Sequence, residues 1–158
     1  MTRHFRIFSL LLGLSCAWSG AAQSENTKSA GYLDGHWEGM LKVAAVGTTA
    51  GYDLAVRLDI EDGKFEVQNL QSDGKWMRIA PGQFKLYPNN FNAVAVGMHR
   101  SQGDCWDESW VFNVALDTSN QLLTHWSRVV DNIRCLNAGA QTFSQWAEGT
   151  LKRNTGAQ

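Results

Sequence analysis

Segments of alternating polarity dominate the chain from Tyr32 onward. Trp37, Gly39, Leu41 and Val43 fall on one face of a segment whose other face carries His36, Glu38, Met40 and Lys42, the period of two expected of a strand buried on one side. Tyr52 to Ile60 alternates in the same way, with Tyr52, Leu54, Val56, Leu58 and Ile60 inward and Asp53, Ala55, Arg57 and Asp59 outward. Asp62-Gly63 supplies the positive φ angles of a two-residue type I′ turn. That turn predicts a register in which Ile60 faces Phe65, Leu58 faces Val67 and Val56 faces Asn69, so turn chemistry and burial pattern agree.

Further turn signals at Asp73-Gly74, Pro81-Gly82 and Pro88-Asn89-Asn90 predict short strands over 75–79, 83–87 and 91–100. In the last of these Val94, Val96 and Met98 share one face and Ala93, Ala95 and Gly97 the other, where small residues imply a close-packed neighbour. After a polar loop over 101–108, Trp110, Phe112, Val114 and Leu116 point inward. Leu122 to Val130 then sets Trp126 and Arg128 on one face and His125 on the other, and Phe143 to Lys152 is the last strand. Eight or nine short strands with turn signals between them, and no amphipathic helix, predict an all-β fold. The expected architecture is an antiparallel up-and-down barrel of about eight strands.

Residues 1–22 have the layout of a secretory signal: Arg3 and Arg6, an apolar run from Ile7 to Trp18, then small residues up to a cleavage point after Ala22. Residues 23–31 are a polar lead-in, 32–153 one barrel domain and 154–158 a tail. Of the 14 Lys and Arg residues, loss of Arg3 and Arg6 leaves 12 against 15 acids, a net charge of −3. Such a balance offers no electrostatic footprint for nucleic acid. No apolar run beyond the signal is long enough to span a bilayer as a helix, so the expected location is periplasmic or secreted. The two remaining cysteines, Cys105 and Cys135, read as a structural disulfide in an exported chain.

Gly35-x-Trp37 opening the first strand, a meander of short strands and a late arginine together resemble the lipocalin-like, or calycin, superfamily. The resemblance implies that Trp37 plugs one barrel end and that a late arginine, Arg128 or else Arg153, packs over its ring to close that end. The chain is also similar to the avidins in being short and tryptophan-rich, with Trp76, Trp110 and Trp126 as counterparts of their ligand-lining rings. The polar residues that avidins carry after the first-strand Trp are not matched by Glu38 to Val43, which speaks against biotin.

Candidate chemistry is sparse. Asp104, Asp107 and Glu108 cluster near Cys105 with His99 upstream, but lack the regular ligand spacing of a calcium loop. His36, His99 and His125 stand singly on strands, a carboxylate pair such as Glu38 with Asp107 is not selected by any spacing, and no nucleophile elbow or zinc-protease helix occurs. The expectation is therefore a non-enzymatic binding protein without cofactor or metal. A small apolar or amphipathic ligand would lie against Trp110, Phe112 and Trp126, with Tyr52 and Trp106 nearer the mouth, between rim loops at 47–51 and 101–108. The alternative is an envelope protein-binding module, an inhibitor or immunity protein, acting through the disulfide-braced loop around Trp106.

Overall fold

The structure, a computed structural model, describes residues 31–47, 49–79, 84–100, 105–135 and 142–156. The expected signal and most of the lead-in, the Pro81-Gly82 turn, residues 101–104 of the polar loop and the last two residues lie outside these. Nine strands are present: β1 (Gly35–Val43), β2 (Tyr52–Glu61), β3 (Lys64–Leu70), β4 (Trp76–Arg78), β5 (Lys85–Asn89), β6 (Asn92–Arg100), β7 (Asp107–Leu116), β8 (Gln121–Asp131) and β9 (Thr142–Arg153). They form one antiparallel sheet in the order β4-β3-β2-β1-β9-β8-β7-β6-β5.

This order is a meander folded back on itself. Every strand pairs with its sequence neighbour, β9 returns to β1 with Trp37 opposite Arg153, and only β4 and β5 lack a ladder between them among the described residues. The all-β, up-and-down fold follows the sequence expectation, but the sheet is open at that one seam and is not a hydrogen-bonded closed barrel. It still curls strongly: β3 and β5 have Cα atoms within 8 Å of one another, and Phe65 of β3 meets Phe112 of β7 with ring centroids 5.4 Å apart.

The β2–β3 hairpin has the register that its turn dictates, Ile60 opposite Phe65, Leu58 opposite Val67 and Val56 opposite Asn69, with Asp62 and Gly63 at φ 49° and 76°. On β6 the small residues face inward. Ala95 lies beside Phe112 and Gly97 beside Trp110 in the ladder, so the small side of β6 leaves volume for the large rings of β7. Between β1 and β9, Gly39 and Gly149 do the same for leucines. A Cβ on Gly149 would stand 2.4 Å from the Met40 carbonyl oxygen and 2.9 Å from Leu41 Cδ2. The first and last strands therefore meet only because neither carries a side chain there.

The Trp37 end is sealed by the chain itself. Trp37 is fully buried and its ring N–H donates to the Leu33 carbonyl at 2.8 Å. Arg153 lies over the ring at 4.3 Å and donates to the Asp34 and Tyr32 carbonyls, while Tyr32 packs against Phe91 at 4.7 Å. Arg128, the arginine first assigned to this position, is elsewhere: it lies on β8 two residues past Trp126 and reaches the opposite end of the sheet, over Trp110. The end-sealing arginine is Arg153 because β9 delivers it directly opposite Trp37. At the far end, Val46 and Thr49 exchange both backbone hydrogen bonds at the base of the expected 47–51 rim loop, of which Thr48 lies outside the described residues.

Candidate functional site

The inner face at the end away from Trp37 carries the most unusual group of side chains. Alternation along β7 turns Glu108, Trp110 and Phe112 inward, and alternation along β8 does the same for Trp126 and Arg128. The ladders then set Trp110, Arg128 and Gln145 side by side across β7, β8 and β9. Arg128 lies over the Trp110 ring at 4.7 Å, with Phe143 at 5.9 Å and Trp106 at 6.0 Å. Its Nε and Nη2 donate to one Glu108 carboxylate oxygen at 2.8 and 2.5 Å, and Nη1 donates to Gln145 at 3.4 Å. The Glu108 side chain is 3% exposed and that of Arg128 21%.

An ion pair this deep repays its desolvation only when close geometry and further polar or π partners accompany it, and here the guanidinium has a carboxylate, an amide oxygen and aromatic faces. Glu108, expected in a polar loop, is instead the second residue of β7 and belongs to the inner face. The buried Trp110 ring N–H has no acceptor among the described residues.

Beneath this pair the expected ligand-lining residues are stacked on one another. Trp110 and Trp126 have centroids 5.2 Å apart, Phe112 lies 6.4 Å from Trp126, and Phe84 packs edge-on against both Phe65 and Phe112. Phe112 is 1% and Trp126 3% exposed. A cavity of ligand size would leave accessible surface on the side chains around it, so these rings fill the middle of the sheet. Tyr52, in contrast, is half exposed at the start of β2.

The disulfide corner caps the same end. Cys105 and Cys135 are bonded, and Asp107 bridges the two arms of the corner by accepting from Arg100 Nε at 2.7 Å and Arg134 at 2.6 Å. Hydrogen bonding from Arg100 holds the Asp107 carboxyl below the usual carboxylate range, with the charges of both arginines adding to it. Asp131 accepts from the Ile133 N–H at 3.1 Å, and the Cys135 N–H donates to the Asn132 carbonyl at 2.8 Å. The result is a short braced turn that presents Ile133, 58% exposed, to solvent. Trp106 turns toward Arg128 and is half buried. Asp107 and Glu108, the two described acids of the suggested cation cluster, are both engaged by arginines; Asp104 lies outside the described residues.

The outer wall divides sharply. Over β1 to β4 it is laced with polar pairs: a His36–Asp59 hydrogen bond at 2.6 Å and ion pairs of Arg57 with Glu38 at 2.8 Å and Arg78 with Glu66 at 2.5 Å, while Arg57 also covers the Trp76 ring at 4.0 Å. Glu38, considered above as a carboxylate partner of Asp107, is held by Arg57 beside Trp37, at the end of the outer wall opposite to Asp107. Over β6 to β8 the wall carries no Asp, Glu, Lys or Arg between its two ends. Met98, Ser109 and Val129 form one cross-strand row, followed by Val96, Val111 and Ser127. The next rows are Val94, Asn113 and His125, then Asn92, Ala115 and Leu123. The last two rows line a surface groove of about 710 Å³ whose far side is formed by Met40, Lys42 and Glu148. Trp146, exposed on β9, stacks on His125 at 6.2 Å.

Period-two counting back from Trp110 puts Glu108 and Trp106 on the inner face, a signal hidden by the charge of the surrounding residues. Ile133 carried no such signal, because its exposure depends on the turn made by Asp131 and Asn132. With this geometry in hand, no protein-family model, no curated protein and no solved structure matches the chain.

Proposed function

We propose that the protein is an exported, non-enzymatic binding module that holds an envelope protein with its disulfide-braced end and uses the curled sheet as a rigid scaffold. The observation that carries this reading is the filled interior: Trp110, Phe112 and Trp126 pack on one another rather than around a space. A carrier needs a lumen; a recognition scaffold needs stiffness. The braced turn supplies it, because the disulfide, the Asp107 bridge and the Asp131 turn order Ile133 before any partner arrives, which lowers the entropic cost of association. An apolar residue held at the tip of an ordered loop and ringed by charged groups has the character of an interface anchor. The calycin resemblance belongs to this reading as a statement about scaffold.

The test is native mass spectrometry of the protein isolated from its own envelope, alongside an Ile133→Glu variant. The expected result is a stoichiometric protein partner retained by the natural chain and lost by the variant. A stoichiometric small molecule in its place would overturn the proposal. That second reading has one observation in its favour, the Trp110 ring N–H with no acceptor among the described residues, which a polar ligand atom at the mouth would satisfy.

A further inference from the structure

The outer wall of β6 to β8 has no part in the reading above. It consists of four cross-strand rows free of formal charge on a protein whose opposite wall is dense with ion pairs. Several of its apolar side chains are in water: Met98 is 78% exposed, Leu123 48% and Val129 47%. Patches of this kind on an otherwise charged surface mark an interface. We infer that this wall is the contact surface of a homodimer, and that its occupant is the same wall of a second copy of this chain.

Self-complementarity is the first argument. A two-fold axis lying in the contact plane and running across the strands, between the Val111 and Asn113 rows, lays each strand over its own copy in reverse. Val129 then opposes Leu123 and Val96 opposes Val94, apolar against apolar. Ser127 opposes His125, which pairs a hydroxyl with an imidazole nitrogen. Protruding Met98 and Val129 of one copy enter the groove beside Val94 and Leu123 of the other. With no formal charge in the four rows, no like charges meet across the axis, whereas the β1 to β4 wall laid on its own copy would bring its many charges together.

Area is the second argument. Six residue steps of about 3.3 Å by three strands at about 4.8 Å give a panel of roughly 290 Å² in projection. Side-chain relief raises the accessible area by about half, so two panels bury on the order of 900 Å², the size of a weak, reversible interface. Lipid is the poorer occupant. Asn113, His125 and Ser127 sit in the middle of the panel and would lose their hydrogen bonds in hydrocarbon, whereas a protein face can return them.

Sedimentation equilibrium from about 1 to about 100 µM, which brackets micromolar dissociation constants, is expected to show an average mass that rises from one chain towards two. Val129→Arg and Leu123→Arg each give a folded monomer whose melting temperature does not depend on concentration, while Glu61→Arg on the charged wall stays dimeric. Mixing Val129→Arg with Leu123→Glu restores a one-to-one complex, since positions 129 and 123 oppose each other. A natural chain that is monomeric throughout, or a dimer indifferent to both arginine variants, overturns the inference. Flotation of the monomer with phosphatidylcholine vesicles would assign the wall to lipid instead and equally overturns it. Ile133→Glu leaves the dimer intact, so failure here and failure of the braced-end reading are separable.

Discussion

The Glu108–Arg128 pair makes a quantitative prediction. Replacing Glu108 by Leu leaves the Arg128 guanidinium facing the inner side of the sheet without its carboxylate. Breaking a buried pair from one side costs about 3 to 5 kcal/mol. Arg128 keeps Gln145 and a fifth of its surface in water, which places the expected loss near 3 kcal/mol, at the low end of that range. Arg128→Met, which strands the more deeply buried Glu108, is expected to lose about 4 kcal/mol on the same argument. The double variant removes both desolvation penalties and fills the volume with apolar atoms, so it should lie within about 1 kcal/mol of the natural chain. The assay is a double-mutant cycle by urea unfolding, followed by tryptophan fluorescence with the disulfide intact and m unchanged. Single variants that each lose less than about 1 kcal/mol would refute the reasoning. So would a double variant as unstable as the sum of the singles.

Gly149→Ala puts a methyl group on the Met40 carbonyl and is expected to cost about 1 to 3 kcal/mol in the same unfolding assay. Replacing Cys105 and Cys135 by Ser should cost roughly 3 to 4 kcal/mol, from the loop of about 30 residues that the bridge closes, with a comparable loss on reduction. Burial raises the Asp34 carboxyl, with repulsion from Asp62 and Glu61 adding to it and Arg153 opposing it. A raised folded pKa means that the native state binds the proton more tightly, so stability falls as pH rises through the carboxylate range. Asp34→Asn should therefore raise the melting temperature at pH 7 and lose that advantage as pH falls below the usual carboxylate range. Asp107, held low by the arginines, has the opposite sign: its stabilisation is complete above the usual Asp range and is lost as pH falls below it. Thermal melts of Asp107→Asn against pH should show a deficit at neutral pH that disappears in acid.

Local rules carried much of the fold. The Asp62-Gly63 turn is a two-residue constraint, and it determined the pairing of β2 with β3 without help from the rest of the chain. Alternation in β1, β7 and β8 likewise identified the inward residues, Trp37, Trp110, Phe112 and Trp126 among them. Where the reading fell short, the missing quantity was always non-local. Whether Ala95 or Val96 faces inward depends on the size of the β7 rings beside them. Arg153, not Arg128, covers Trp37 because of the β1–β9 register, which joins the two ends of the domain. The inward tryptophans looked equally suited to lining a space or filling one, and only their mutual distances distinguish the two. The uncharged wall was visible in part, as the Val94, Val96 and Met98 face, but its extent required the ladders that align β6 with β7 and β8.

Among the described residues the single unpaired seam lies in mid-sequence, between Arg78 and Lys85, whereas the strands nearest the two ends of the domain are laddered together. In the natural connectivity the β1–β9 ladder joins residues more than a hundred positions apart, and closing so long a loop is the entropic obstacle to assembly. A circular permutant that joins Asn154 to Tyr32 by a short linker and opens the chain between β4 and β5 would cut no ladder. Every strand pair would then connect sequence neighbours, giving a simple nine-strand meander of much lower contact order. The same native sheet would be reached through local hairpins alone, and the permutant should fold faster than the natural chain.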